Sequence, residues 1–207
     1  MVMGRPRTSS DEEILAGTAR AITRVGPARL TLAEVGREVG LAPATLVQRF
    51  GSKRALLLAL VRHSAAVAAD RFPDEATRAV QPLQGLIDAM AAMTAGLTAE
   101  ALSNHLAFLQ LDLADAEFRQ LAGEHARAVR DQIRVCLDAA VTLEQLHAHD
   151  TDRLARSVQV AYNGALLAWA LEPEGPVELC VRGEISAVLS AATAPTASPF
   201  GVDQYVR

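Results

Sequence analysis

The sequence predicts an all-α protein, in which an N-terminal three-helix helix-turn-helix head precedes a larger C-terminal helical bundle. Alanine and leucine dominate its 207 residues and only eight are aromatic (five Phe, two Tyr, one Trp), which favours helices over sheet. Apolar residues recur at helical spacing along nine segments, and Gly or Pro separates most of them. One stretch, residues 31–53, has the spacing of two short helices joined by a tight turn.

The pattern divides the chain into four parts. Residues 1–10 are a short, flexible basic arm, and residues 11–52 are the helix-turn-helix head. Residues 53–192 are the body, whose first helix links it to the head. Residues 193–207 are rich in Pro, Thr and Ser and predict a loose tail.

The first two helices of the head are predicted from their starts and stops. Ser10 with Glu13 has the capping-box pattern, in which a hydroxyl and a carboxylate satisfy the free backbone donors at a helix start. Gly26-Pro27 closes that helix. Thr31 with Glu34 repeats the same pattern at the second start.

The turn and the third helix follow directly. Gly40 supplies the residue that tolerates a left-handed backbone at a helix end. Pro43 fits a first helical turn, where its missing N–H costs nothing. Leu46 and Phe50 then lie four residues apart and face inward, and Ser52 caps the helix that leads into the body.

The body contains six further helical segments, each with one or more apolar faces. The first has apolar residues on too many faces for one side to be exposed to solvent. We therefore expect it to contact both the head and the body. The predicted spans are residues 53–72, 82–96, 98–112, 115–142, 151–172 and 176–192.

Charge is divided unevenly along the chain. Residues 1–62 carry ten Arg or Lys against five acids, a net charge of +5, whereas residues 63–207 carry ten against nineteen, a net charge of −9. A basic end on an acidic body suits contact with nucleic-acid phosphates, because each cation releases condensed counterions. The alternative is a chance fluctuation, so the asymmetry supports the motif without establishing a function.

Cysteine content and hydropathy indicate the cellular compartment of the protein. Cys136 and Cys180 lie within helical patterns, which predicts free thiols in a reducing compartment, with a disulfide as the alternative. No signal peptide precedes the head and no run of 18 apolar residues could span a bilayer. We therefore expect a cytoplasmic protein with no membrane partner.

Residues 31–53 resemble the DNA-binding motif of the TetR family of transcriptional regulators. Val47 stands where that family usually has a phosphate-contacting Tyr, Ala42 where a Ser often caps, and Gly36 where Ala is common. The order and lengths of the helices resemble the family from about residue 10 to 192. The matching motif residues are Thr31, Gly40, Leu41, Thr45, Leu46, Phe50, Ser52 and Lys53.

The resemblance implies that the protein binds double-stranded DNA through the third helix. Gln48 suits the adenine edge and Arg49 the guanine edge, with a phosphate contact as the alternative for each. Thr31, Thr45 and Lys53 suit contacts that position the DNA backbone. The complete set of candidate DNA-binding residues is Arg5, Arg7, Thr31, Arg37, Ala44, Thr45, Val47, Gln48, Arg49 and Lys53.

Three arginines of this set have two interpretations. Arg37 is either a phosphate ligand or part of the solvated surface. Arg5 and Arg7 in the basic arm either reach an adjacent minor groove, where the negative potential is deeper, or belong to an ordinary solvated terminus.

The resemblance also implies that residues 53–192 bind a small hydrophobic effector and dimerise through the last two helices. Gly164, Ala165, Ala168 and Ala170 would allow close approach of helices, although a monomer core also uses such residues. The candidate effector residues, for which a closed core is the alternative, are Met90, Met93, His105, Phe108, Leu109, Ile133, Tyr162, Asn163 and Trp169.

No pattern indicates catalysis, a cofactor or a metal. The carboxylates have no acid/base spacing, and His147-Ala148-His149 is a polar loop without a third ligand nearby. The favoured interpretation is a homodimeric repressor that an effector releases from a palindromic operator. The alternative is a helical-bundle carrier or enzyme with a vestigial helix-turn-helix, against which the base-reading side chains and the basic head argue.

Overall fold

The computed structural model describes residues 9–147 and 150–193, without the side chains of residues 111 and 112. Within these ranges there are ten α-helices, one short 3-10 helix at Ala69–Arg71 and no strand, so the all-α prediction is confirmed. Arg5, Arg7, His149 and the tail beyond Thr193 lie outside the described residues. The helices are α1 Asp11–Arg29, α2 Leu32–Val39, α3 Pro43–Phe50, α4 Lys53–Ala66, α5 Glu75–Arg78, α6 Pro82–Ala92, α7 Ala99–Ala114, α8 Ala116–Thr142, α9 Thr151–Leu171 and α10 Val177–Thr193.

The head packs α1 to α3 and the first turns of α4 around one apolar core. Ile14, Val35, Leu46 and Leu56, one from each of these helices, are fully buried there. The predicted capping box forms at Ser10, where the Ser10 and Glu13 side chains bond each other's backbone N–H. At Thr31 only half of it forms: the hydroxyl accepts from the Glu34 N–H, but the Glu34 carboxylate pairs with arginines instead. The hydroxyl caps therefore fix both helix starts as expected.

Helix α1 is broken near its end by Gly26. Its φ of +74° is in the region that favours glycine, so the regular helix stops there and a single turn continues to Arg29. The Asn104 side-chain amide of α7 donates to the Thr23 carbonyl at 2.9 Å beside this break. The body therefore docks directly onto the last turns of α1.

The body has a second core, and α8 extends through both. Leu86, Val158 and Ile185 of α6, α9 and α10 are fully buried in the body core. The 27-residue α8 supplies Leu137 to that core, while Phe118 near its start belongs to the head core. One continuous helix therefore joins the two cores.

Helix α4 is shorter than predicted. It ends at Ala66 instead of Phe72, and the chain continues through the 3-10 helix and the four-residue α5. Val61 packs in the head core whereas Phe72 packs in the body core. The change in direction lets each apolar side chain reach its own core, which the local apolar pattern does not reveal.

Gly36 is required by a close approach in the turn between α2 and α3. A Cβ added at this position would lie 2.4 Å from the Leu41 carbonyl oxygen, closer than real contacts allow. The Leu41 N–H also donates to the Gly36 carbonyl at 2.9 Å, which holds the turn against the helix. A glycine at this position lowers the helix propensity of α2, but it allows the close approach of Leu41 that the turn requires.

We expect Gly36→Ala to lower the free energy of unfolding by about 1–3 kcal/mol, because overpacking against backbone outweighs the gain of about 1 kcal/mol in helix propensity. Gly123→Ala in α8 is the matched control, since its nearest neighbour is a flexible Arg127 nitrogen at 3.5 Å, and it should be neutral or stabilising. Urea unfolding measures both. Equal stabilisation by the two changes would show that the turn is looser than described.

Two further predictions concern the environment of the chain. Among the described helices, none is both long enough and apolar enough to cross a membrane. Cys136 is buried, Cys180 is half-buried, and both are free thiols as expected. Burial raises the pKa of the Cys136 thiol to about 11, so it is an unreactive core residue.

Candidate DNA interface and partner surfaces

The helix-turn-helix presents α3 on a rigid support. Gly40 has φ +70° and ψ +31°, the left-handed conformation expected at the end of α2. Pro43 occupies the first turn of α3, and no side chain caps this helix at Ala42, as its departure from the family pattern implies. Leu46 is fully buried beneath α3 and Phe50 is half-buried, so the outer face of α3 is fixed in orientation.

The outer face of α3 consists of the side chains that were expected to meet DNA. Ala44, Val47, Gln48 and Arg49 are exposed, and Thr45 is half-buried. Gln48 thus offers a bidentate amide and Val47 an apolar group on the same surface, chemistry that matches adenine and thymine edges in a major groove. The structure therefore brings these five candidates together.

Two arginines near this face are held by intramolecular bonds. The Arg49 guanidinium donates to the Ser9 carbonyl and pairs with the Asp11 carboxylate at the start of α1. Arg37 pairs with Glu34 one turn earlier on α2. Sequence spacing does not predict the contact of Arg49 with residues about forty positions away. A base contact by Arg49 requires that these bonds be exchanged.

Lys53 is half-buried at the first residue of α4. Its Nζ donates to the Pro27 carbonyl at 2.8 Å, immediately after the break in α1. Thr31 is exposed, as is Arg37, but the hydroxyl of Thr31 is committed to capping α2. Thr31 and Lys53 thus lie at the starts of α2 and α4, Arg37 lies in the last turn of α2, and Lys53 bridges α4 and α1.

This head matches a known family. Residues 14–60 match the model described as bacterial regulatory proteins of the tetR family. The matched range contains most of α1, all of α2 and α3, and the first half of α4. The head is therefore similar to the DNA-binding head of the TetR family. No curated protein gives a significant match to the chain.

Solved TetR-type structures also share the fold of the whole chain. A TetR transcription regulator from Haloarcula marismortui is 19% identical, with a TM-score of 0.72 over 89% of this chain and 98% of that one. SmeT, the repressor of the Stenotrophomonas maltophilia multidrug efflux pump SmeDEF, is 21% identical, with a TM-score of 0.63 over 91% and 93%. A Saccharomonospora viridis regulator in complex with choline is 18% identical, with a TM-score of 0.69 over 87% and 95%. The TetR fold therefore extends through the body, as the helix order predicts.

Charged side chains connect the TetR-type head to the body. Arg54 of α4 donates to Asp115 at 2.9 Å and to Glu117 at 2.8 Å, and Arg62 donates to Glu117 at 2.9 Å. The Asp115 carboxylate also caps α8, and the hydrogen bond from Arg54 holds the pKa of this carboxyl below its usual range. Helix α4 is therefore tied to the start of α8 by a network of ion pairs.

A cavity of about 690 Å³ opens beside this network, between head and body. None of the nine candidate effector residues lines it. Its described walls are Pro27 and Ala28 of α1, Lys53, Arg54 and Leu57 of α4, Ala107 and Gln110 of α7, and Asp115 and Phe118 at the start of α8.

The candidate effector residues are spread over several environments. Met90, Ile133 and Trp169 are buried in the body core, with Met93 and Tyr162 packed against it. The other four separate: Phe108 packs on the head core, and His105, Leu109 and Asn163 are exposed.

Arg71 lies close enough to His125 and to Tyr162 to influence both, which the sequence pattern does not predict. The His125 Nδ1 atom is buried and has no hydrogen-bond partner among the described residues. Burial lowers the pKa of His125, and the positive charge of Arg71 lowers it further. Burial also raises the pKa of Tyr162, while Arg71 opposes that shift. These polar groups come from the 3-10 helix, α8 and α9, which are far apart in sequence.

The last two helices have an exposed apolar face. On α9, Val160, Gly164, Leu167, Ala168 and Leu171 recur at helical spacing and all are exposed, Leu171 by 76%. Leu179 on α10 is 63% exposed. Of the four small residues expected at an interface, Gly164 and Ala168 belong to this face, whereas Ala165 is buried in the core and Ala170 is half-buried. We call the exposed α9 residues the α9 stripe.

Proposed function

We propose that the protein is a homodimeric transcriptional repressor that binds a palindromic operator and is released from it by a small hydrophobic effector. The observation that carries the proposal is the TetR-type head with Gln48, Val47 and their neighbours exposed together on α3. The net charge of +5 on residues 1–62 supports contact with DNA phosphates in the cytoplasm.

The α9 stripe supports the dimer. A contiguous row of exposed apolar side chains on one helix is typical of a protein–protein contact, and its two smallest residues allow a second helix to approach closely. Two-fold symmetry of the protein then imposes two-fold symmetry on the DNA site.

The ion pairs between α4 and α8 support release by an effector. A ligand that shifts the body relative to α4 would move the head through Arg54 and Arg62. To turn a mostly bound population into a mostly released one, its affinity for the two states must differ by roughly 5.5 kcal/mol. The Saccharomonospora viridis regulator in complex with choline supports the idea that a protein of this fold can bind a small molecule.

The competing interpretation, a carrier or enzyme with a vestigial head, predicts no sequence-specific binding. Fragments selected from sheared host DNA would separate the two, because a regulator enriches a few pseudo-palindromic sites and a carrier enriches none. The genes beside the enriched sites would also indicate the class of effector.

Two variants test which residues of the head contact the DNA backbone and which contact a base. Lys53→Gln keeps a polar side chain near the Pro27 carbonyl but removes the charge, so it should weaken binding to operator and random DNA alike and lower the salt slope by about 1 per subunit. Gln48→Ala should cost roughly 1–3 kcal/mol per half-site on the operator, little on random DNA, and relax one base preference. Gel shifts at several salt concentrations measure both.

Gln120→Ala is the control, because Gln120 is an exposed glutamine on α8, away from α3. It should leave binding to both operator and random DNA unchanged. If the Lys53 and Gln48 variants lost the same binding affinity on both DNAs, the assignment of Lys53 to a phosphate and of Gln48 to a base edge would be refuted.

A further inference from the structure

We propose that the cavity between head and body binds a small amphipathic anion, namely an apolar ring or short chain that carries a carboxylate or a similar group. The inference deepens the proposed function, on which it rests in taking this ligand as the effector. The cavity is bounded by α1, α4, α7 and the start of α8, so a ligand in it touches both the head and the body.

The walls of the cavity suit an apolar group. Its volume of about 690 Å³ lies within the range of roughly 300–1,000 Å³ that is usual for small-molecule sites. Leu57 and Phe118 are almost fully buried beneath it, and Ala28 and Ala107 add small apolar surfaces. An apolar ligand would therefore cover the exposed surfaces of Ala28 and Ala107 without displacing a core side chain.

The charged groups favour an anion. Among the described lining residues, Lys53 and Arg54 are the cations and Asp115 is the carboxylate, which gives these residues a net charge of +1. Arg54 is satisfied by Asp115 and Glu117, but Lys53 donates only to the neutral Pro27 carbonyl and has no carboxylate within 4 Å among the described side chains. A half-buried ammonium whose partner is a neutral oxygen gains more from an anion than from any other ligand.

Lys53 links this site to DNA. The phosphodiester backbone could meet the same ammonium, yet it has no apolar part to fill the space above Leu57 and Phe118. A small anion in the cavity would therefore compete with a phosphate for Lys53. Binding of the anion and of DNA should then weaken each other by one and the same factor, as linkage requires.

The test uses three naphthalene probes that differ in one group: 1-naphthylacetate, 1-naphthalenemethanol and 1-naphthylmethylammonium. Their own fluorescence reports binding to the full-length protein without DNA. We expect saturable binding in the order acetate, alcohol, ammonium. If the acetate binds no better than the alcohol, the anion assignment is overturned.

Three variants locate the site. Ala107→Phe fills the cavity from an exposed position and should remove binding of the acetate and the alcohol, provided circular dichroism shows a native fold. Lys53→Gln should weaken the acetate about tenfold and leave the alcohol unchanged. Arg62→Gln is the matched control, because Arg62 also lies on α4 and pairs with Glu117 but does not line the cavity, so it should bind both probes normally.

Wild-type binding of naphthylacetate by Ala107→Phe, or an equal loss in the Lys53 and Arg62 variants, would overturn the site. Saturating operator DNA should lower the affinity for naphthylacetate, and an unchanged affinity would overturn the shared use of Lys53. Failure to bind any operator while the probe pattern holds would instead refute the proposed function and leave the cavity assignment standing.

Discussion

Ala168→Asp should dissociate the protein into monomers and abolish tight operator binding. Ala168 lies in the middle of the α9 stripe and is exposed in the single chain, so the change costs the monomer little. In a dimer closed through this stripe, two carboxylates would be buried without partners, which costs several kcal/mol. We expect the dimer dissociation constant to rise by at least about 1,000-fold, or ~4 kcal/mol, in sedimentation velocity.

Ala76→Asp is the control for this change, because Ala76 is also exposed but lies on α5. It should leave both the dimer and operator binding intact. A wild-type protein that sediments as a stable 22.0 kDa monomer and still binds its operator tightly would contradict the dimer.

Phe118→Ala should be among the most destabilising single changes, with a loss of about 3–5 kcal/mol in the free energy of unfolding. Phe118 is 1% exposed, meets Phe108 edge-to-face at 6.3 Å between ring centroids, and lies under the Arg54 guanidinium at 5.6 Å. Its removal would open a void where α8 enters the head core. Urea unfolding followed by circular dichroism measures the loss.

Leu137→Ala is the companion variant, because Leu137 lies on the same helix but packs in the body core. We expect it to cost about 2–5 kcal/mol. Since α8 runs through both cores, each variant should shift one common unfolding transition. Two separate transitions, of which each variant moves only one, would show that head and body unfold independently.

Most of the fold follows from local signals in the sequence. The caps at Ser10, Thr31 and Ser52 mark helix starts, and at all three the side chain accepts from a backbone N–H. The predicted end of α4 was wrong because no Gly or Pro interrupts the apolar run before Pro73. The helix ends earlier because Phe72 packs in the body core, a tertiary contact that the local sequence does not reveal. The short α5 was missed, although Asp74, whose side chain accepts from the Thr77 N–H, is a recognisable cap.

The candidate DNA face was predictable for the same reason. Burial of Leu46 and Phe50 at helical spacing fixes which side of α3 faces outward. The partners of long side chains were not predictable, since Lys53 reaches Pro27 and Arg49 reaches Asp11 across the three-dimensional fold. The junction cavity, which is open to solvent, was not predictable either, because the four helices that line it are far apart in the chain.

Trp169, the single tryptophan of the chain, makes the protein its own optical reporter. It is 8% exposed, and its indole N–H donates to the Gly175 carbonyl at 3.0 Å across the turn between α9 and α10. Its emission should be blue-shifted in the native state and respond to rearrangement of these two helices, while the described head contributes no tryptophan signal. Dimer dissociation and body unfolding can thus be followed without a label.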